Sequence, residues 1–428
     1  MRTTEDLSAW VRDARRRTRS LVADLDARQL LGPRLAIVNP PLWEIGHVAW
    51  FQERWVLRHA GGQPPLRADA DRLWDSSAIA HDTRWDLPLP GLSETLDYMS
   101  EVESRVQRLM GADPRPEVRY FTEYTVYHED MHGEALAYTR QTLGYPAPHD
   151  DRDPRRPGTV SGGTAGPWPG DVEVAGGAFM LGAAGDGTFV FDNEKWAHAV
   201  RLAPFRIARA PVTAREFAAF VEDGGYARED LWSGEGWRWR QDAGAAHPVY
   251  WRWAEGGWER RDFDRWVPLE PDRPVLHVSW YEAEAWCTWA GRRLPTEAEW
   301  EMAASASSAE GRRRFPWGEA APTPARANLE GQAGGLLDVA ALPDGDSHWG
   351  CRQMVGNVWE WTASDFGPYP GFVPDAYRDY SEPWFGTHKV LRGGCWVTRA
   401  RLLRNTWRNF YPPDRRDVWA GFRTCARA

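Results

Sequence analysis

Apolar residues recur near helical spacing through the first third of the chain. Leu7, Trp10, Val11, Ala14, Leu21, Val22, Leu25 and Leu30, with arginines between them, predict an amphipathic helix over 5–30. Asn39-Pro40-Pro41 stops the chain, and proline is tolerated in a first helical turn, so a second helix is expected over 42–59. A third pattern runs over 93–110 through Leu96, Met99, Val102, Val106 and Leu109, and a fourth covers 117–143. Four amphipathic helices joined by loops predict an up-and-down bundle, which commonly seats metals between facing helices.

The helical pattern ends near residue 145, where the text becomes PAPHDDRDPRRPGTVSGGTAGPWPGD. So much proline, glycine and charge buries little apolar area and reads as a linker. Short strand-like pieces, many glycines and dense aromatics follow, with helices expected only at 214–222 and 281–290. The organisation expected is therefore α+β and multidomain: a helical bundle over 1–148, a linker over 149–170 and a loop-rich domain over 171–428. The 27 tryptophans fit that last region, because a half-buried indole with its N–H satisfied packs well in irregular loops.

Composition narrows the functional classes. Apolar residues at 42% and charged residues at 26% are the balance of a globular protein with room for two cores over 428 residues. A net charge of −9 argues against a surface that tracks phosphates, so no nucleic-acid partner is expected. No run approaches the roughly 18 apolar residues of a membrane span. The segment MRTTEDLSAWVRDARRR lacks the apolar stretch of a secretory signal, so a cytoplasmic protein is expected, a monomer or weak homo-oligomer. Cys287, Cys351, Cys395 and Cys425 are scattered without CxxC spacing, which predicts reduced structural thiols.

The candidate chemistry lies in YTVYHEDMHGEALAYTRQTL. His128 and His132 are four residues apart, on one helix face and about 6 Å from each other, which suits two ligands of one ion. Glu134 falls roughly 200° around the helix from His132 and is set aside. A third ligand must come from elsewhere, and His47 in NPPLWEIGHVAWFQERW is the candidate. Three neutral imidazoles suit Zn(II), Fe(II) or Cu(II), and three ligands leave open positions that a closed structural site lacks. The same residues spell H-E-x-x-H, which in zinc proteases supplies two ligands and a glutamate base, here Glu129. No downstream third ligand of that pattern is recognisable. A non-catalytic binding module is the third alternative.

The chain resembles the ergothioneine-type sulfoxide synthases, non-haem iron enzymes that pair a DinB-like bundle with a loop-rich domain of the C-type-lectin-like, formylglycine-generating-enzyme-like kind. The resemblance spans nearly the whole chain. It rests on PPLWEIGHVAWFQE (40–53) and the His128/His132/Glu134 string in the first part, and on RRLPTEAEWE (292–301), FPWG (315–318), GNVWEW (356–361), VLRGGCW (390–396), RNFYPPDRRD (408–417) and AGFR (420–423) in the second. It implies that His47, His128 and His132 hold Fe(II), that O₂ is a co-substrate, and that the substrates are hercynine and a thiol or selenol donor joined at imidazole C2. Formylglycine-generating enzymes use a cysteine pair after their RGGSW-like motif; here those positions are Thr398 and Leu403, so that activity is disfavoured and Cys395 is expected to pack.

Departures from the family pattern bear on the donor. Members that take γ-glutamylcysteine carry two arginines three residues apart after the second helix, whereas this chain has His81 and Arg84. Histidine offers neither a permanent charge nor a fork for a carboxylate. The string often read R-N-W-D is Arg408-Asn409-Phe410-Tyr411, and the residue before the last ligand, often glutamine, is Met131. With AHDTRWDLPLP (80–90) and FDNEKWAH (191–198), the signature is closest to the selenoneine synthase branch, whose donor is a selenosugar. Hercynine's trimethylammonium favours aromatic faces. Trp407, Asn409, Phe410 and Tyr411 are therefore expected to wall the substrate, Arg415 and Arg416 to meet its carboxylate, and Tyr377 or Tyr380 to donate the proton.

Overall fold

The computed structural model describes residues 2–112, 115–148, 165–305 and 312–427. The expected linker at 149–170 lies outside them as far as residue 164. Two compact units emerge, one of Met1–Arg155 with Gly187–Phe189 and Asp262–Arg265, the other of Arg156–Asp186, Val190–Arg261 and Trp266–Ala428.

The first unit is helical. Its elements are α1 (Thr4–Ser20), α2 (Ala27–Leu31), α3 (Pro41–Gln52), α4 (Ala70–Trp74), α5 (Leu92–Ala112) and α6 (Pro116–Leu143). The single helix expected over 5–30 is in fact two. Asp26 breaks it, its carboxylate accepting the backbone N–H groups of Arg28 and Gln29 at 2.8 Å each, which starts α2. Apolar spacing missed the break because Leu21, Val22 and Leu25 stay buried through the turn between the helices. Helix α3 begins at its proline and widens into a π-type stretch over Glu53–Ala60. Val11, Val48, Phe51, Met99, Val102, Val106 and Val126 are buried in the core of this unit.

Two short segments from beyond residue 165 group with this unit, which a boundary near residue 148 does not anticipate. Phe189 packs among the rings of Tyr120, Tyr124 and Tyr127, at 5.4, 5.7 and 5.0 Å between centroids. The Phe263 N–H donates to Gln141 Oε1 at 2.6 Å.

The second unit is α+β. Strand β1 (Asp171–Val174) pairs with β4 (Phe205–Ala208), and β2 (Gly177–Leu181) with β3 (His198–Leu202), both antiparallel. Helices α7 (Ala214–Glu222) and α8 (Gly234–Asp242) follow, then strands β5 (Trp251–Ala254), β6 (Gly257–Asp262) and β7 (Arg265–Pro268), helix α9 (Trp280–Trp289), strand β8 (Arg292–Arg293) and helix α10 (Glu297–Ala304). The last strands are β9 (Trp359–Asp365), β10 (Lys389–Arg392), β11 (Asn409–Tyr411), β12 (Ala420–Phe422) and β13 (Cys425–Ala426). They complete sheets ordered β1-β4-β13-β8 and β11-β10-β9-β12.

Helices α7 and α9 match the expected 214–222 and 281–290, while α8 and α10 were not anticipated. A sequence signal for α10 existed: Thr296 and Glu299 form a reciprocal cap, Thr296 Oγ1 accepting the Glu299 N–H at 3.2 Å and Glu299 Oε2 accepting the Thr296 N–H at 2.8 Å. All four cysteines are buried free thiols, as expected. Among the described residues no helix is long and apolar enough to cross a membrane.

Candidate metal centre

Helices α3 and α6 carry the three histidines to one point. Among the described residues, the ring nitrogens of His47, His128 and His132 lie within 4.8 Å of one another. His128 Nε2 and His132 Nε2 are 3.1 Å apart. Two imidazole lone pairs so close repel unless a proton or a cation sits between them. Ligands at about 2.1 Å on one metal, at roughly a right angle, stand about 3 Å apart, so the spacing fits a shared ion.

The rings are held so that the ligating atom is predetermined. His47 Nδ1 donates to the Trp74 carbonyl at 2.8 Å, which leaves Nε2 facing the cluster. Gly46 makes that contact reachable, because a Cβ there would meet the Trp74 indole at 2.2 Å. His132 Nδ1 donates to Glu44 Oε1 at 2.5 Å. Glu44 Oε2 accepts from Asn39 Nδ2 at 2.6 Å, and Asn39 Oδ1 accepts from Arg84 Nη1 at 2.6 Å. His128 instead stacks on Phe51, centroids 3.6 Å apart and 10° from parallel, its buried Nδ1 without a hydrogen bond among the described residues.

Electrostatics keeps the donors in ligating form. Burial, then the neighbouring His132, pushes His47 down to about 3, and burial holds His128 well below its ordinary value. Both are therefore neutral near pH 7. Burial alone would raise Glu44, but His132 and Asn39 overcome it and keep the carboxylate ionised. His47 and His128 are buried at 2% and 5% exposure, whereas the His132 side chain is 21% exposed, so the cluster opens at His132.

Glu129 does not take part. Thr18 Oγ1 donates to its Oε1 at 2.8 Å, and Arg15 lies 3.4 Å from Oε2. The glutamate that H-E-x-x-H needs as a base is thus bound to α1. Glu134, also set aside on helix geometry, is buried and is not in the cluster. Sequence reasoning missed Glu44 and Asn39, although Glu44 lies one turn before His47 in the same motif and helical spacing places the two together. Trp74 offers its backbone oxygen, which no side-chain motif announces.

The other expected residues fall as follows. His81 Nε2 donates to the Val38 carbonyl at 2.8 Å, and Arg84 lies 3.9 Å over the ring of Trp43. Met131 is half-buried on α6. In the second unit, the Tyr380 ring stacks on Phe191 at 4.7 Å and meets Phe410 edge-on at 6.0 Å, while Phe410 stacks on Phe366 at 3.9 Å. Trp407 is buried against Trp359. Asn409 and Tyr411 lie with Phe410 on β11, Asn409 Oδ1 accepting from the Phe410 N–H. Arg415 grips Asp417 at 2.6 and 2.9 Å and lies over the Tyr411 ring; Arg416 is 3.9 Å from Glu282. Each of these two guanidiniums thus meets an internal carboxylate. Tyr377 is half-buried at the start of the short turn Arg378–Tyr380. Cys395 packs inside, its Sγ 3.3 Å from Thr398 Oγ1.

Fold and site together define a helical bundle of DinB type, bearing a three-imidazole cluster, in one chain with a second domain of formylglycine-generating-enzyme type. The DinB superfamily matches residues 11–136, and the sulfatase-modifying factor enzyme 1-like domain matches 158–428. Over 437 residues the chain is 39% identical to a hercynine oxygenase of Mycolicibacterium thermoresistibile, covering 98% of this chain and 94% of that one. It is 39% identical to the hercynine oxygenase of Mycobacterium tuberculosis over 428 residues, 99% of each chain. A formylglycine-generating enzyme of Streptomyces coelicolor is 35% identical over 295 residues, 60% of this chain and 88% of that one. The chain belongs to the hercynine oxygenase family and is an oxygenase.

Proposed function

We propose that this protein uses Fe(II), held by His47, His128 and His132, and O₂ to join hercynine at imidazole C2 to a selenosugar. Three imidazoles converging at ligand spacing, two of them locked by hydrogen bonds on their other nitrogen, carry the metal assignment. Bound there, iron supplies an oxygen-activating centre with positions left for substrate. The chain's own groups do the positioning. The Trp74 carbonyl and the Glu44 carboxylate each take an Nδ1 proton, so neither ring can turn its ligating nitrogen away. Full-length similarity to hercynine oxygenases supports hercynine as the accepting substrate.

The donor reading rests on the loop after the second helix. Arg84 is engaged by Asn39 and laid on Trp43, and the His81 Nε2–H donates a hydrogen bond to the Val38 carbonyl. Burial also lowers His81, which keeps it uncharged. A donor with two carboxylates meets no paired fork here, which favours an uncharged selenosugar over γ-glutamylcysteine. For the proton donor we propose Tyr377 or Tyr380. Burial, then the charges of Glu194 and Asp192, pushes the Tyr380 phenol up, so it keeps its proton at neutral pH.

A hydrolytic H-E-x-x-H reading lacks its base, since Glu129 is tied to Thr18 and Arg15. The deciding experiment is anaerobic Fe(II) reconstitution followed by O₂ with hercynine and equal amounts of a selenosugar, cysteine and γ-glutamylcysteine. The expected product mass carries selenium. A sulfur product in excess overturns the donor, and O₂ uptake that does not depend on hercynine overturns the reaction.

A further inference from the structure

Arg84 is 8% exposed, which is unusual for an arginine offered to a substrate. Two of its features point back at the histidine cluster. Its Nη1 donates to Asn39 Oδ1, Asn39 Nδ2 donates to Glu44 Oε2, and Glu44 Oε1 receives the Nδ1 proton of His132, the three contacts measuring 2.6, 2.6 and 2.5 Å. Its guanidinium carbon lies over the Trp43 ring, 3.9 Å from the centroid, and Trp43 stacks on His47 at 4.7 Å and 11° from parallel. One guanidinium therefore reaches two of the three imidazoles by separate routes, one through hydrogen bonds and one through stacked rings.

We propose that Arg84 is a positioning residue for the metal centre, which sets how tightly the ion is held by orienting His132 through Asn39 and Glu44 and bracing His47 through Trp43. This rests on the three-imidazole reading above and extends it to a loop that carries no ligand. Arginine suits the role for geometric reasons. A guanidinium can lay a flat face on an aromatic ring while its edge donates hydrogen bonds, whereas a lysine ammonium offers no flat face. Asn39 suits the middle place because its amide accepts from a cation and donates to a carboxylate at once. Each link fixes the next: with Arg84 gone, Asn39 Oδ1 loses its partner, the amide is free to flip, and Glu44 loses the donor that holds its second oxygen in place. The carboxylate then turns, and the His132 ring follows it.

The test uses the full-length protein and Co(II) as probe. Affinity is read by competition with a chromogenic chelator, and ligand geometry by the visible d–d bands. Wild type is expected to bind one Co(II). R84Q and N39A are each expected to weaken binding by about 10–100-fold, the usual cost of losing a partner behind a metal-bound histidine, and to shift the bands. Because both lie in one relay, the double variant R84Q/N39A is expected to lose no more than the worse single variant by over about threefold. R84K should recover less than half of the lost affinity on a logarithmic scale. T83A, in the same loop with its hydroxyl bonded to the Ala80 carbonyl, should bind as wild type does.

Circular dichroism confirms that each variant is folded before it is titrated. Wild-type affinity and bands in folded R84Q overturn the proposal while leaving the metal site standing. A T83A loss equal to that of R84Q overturns it too, since loop integrity alone would then be responsible. Wild type that binds no Co(II) at all overturns the three-imidazole reading itself.

Discussion

Buried carboxylates meet arginines in both units, as Glu129 meets Arg15 in the bundle, but the one beside the histidine cluster is partnered differently. In the bundle, Glu44 faces a histidine and an amide, with Arg84 bonded to that amide's other end. In the second unit four buried glutamates have arginines in direct contact. Arg392 bonds Glu297 and Glu301 at 2.7 and 2.6 Å, Arg408 shares Glu297 Oε1 with it and also reaches Oε2, and Arg423 grips Glu360 at 2.6 and 2.8 Å. Arg404 joins Glu194 in the same manner. Helices satisfy their own backbone, so the bundle can leave a few polar side chains for chemistry. Long loops cannot, and here ionised pairs between distant segments replace secondary structure as the stitching. A buried pair contributes little net stability relative to apolar packing, yet removing one partner is expensive.

The comparison is broken most directly at Arg392, which reaches from β10 to two glutamates on α10. Replacing it with methionine leaves Glu297 with Arg408, and Glu301 with the Gly182 N–H and Arg312, 3.5 Å away, so each buried carboxylate loses its shortest arginine contact or half of its arginine pair. We expect Arg392→Met to cost about 3–5 kcal/mol in chemical denaturation. A loss below about 1 kcal/mol would mean that these pairs are ornamental and that the loops are held by their aromatic contacts.

In the bundle the same kind of change should separate function from stability. Glu44→Gln keeps an acceptor for His132 Nδ1 and removes the charge. Metal affinity is expected to fall about 10–100-fold, while stability without metal moves by no more than about 1 kcal/mol. Unchanged affinity would remove Glu44 from the site.

Acid should act on both units through histidines buried in the neutral form. His277 in the second unit is pushed down to about 3 by burial, then by Arg260, and packs edge-on against Tyr250. An unfolded histidine binds its proton near pH 6.5, and the folded one does not until about 3. Between those values the unfolded chain holds more protons, so stability is complete above about pH 6.5 and falls as the pH drops towards 3. The slope is at most about 1.4 kcal/mol per pH unit for each such group. His277→Asn, at a position whose φ of 61° asparagine accepts, should flatten the acid limb by that amount. An unaltered slope would show that His277 is not the titrating group.

What could be read in advance follows the same division. Three of the four expected bundle helices matched closely because their apolar spacing reports one buried face, and His128/His132 followed from that spacing alone. Asp26 was missed because a cap is a hydrogen-bond event that leaves the apolar rhythm intact. In the second unit the expected motifs were present, but their roles rest on contacts far apart in sequence, such as Arg404 with Glu194 or Trp300 Nε1 with Glu360. No local pattern encodes those pairings. Glu44 lay in between: helical spacing put it beside His47, yet only the fold brings it to His132.

The smallest expected effect compares one device used in both units. Thr3 with Asp6 caps α1, and Thr296 with Glu299 caps α10. The first is exposed at the start of the described chain, where fraying costs little. The second opens the helix that delivers Glu297 and Glu301 to Arg392, so its loss propagates into the buried pairs. Thr296→Ala should therefore cost about 1–2 kcal/mol and Thr3→Ala about 0.5 kcal/mol or less, measured as the difference between two denaturation midpoints. Equal losses would mean that α10 is positioned by Trp300 and its neighbours in the core, with the cap contributing only to its own first turn.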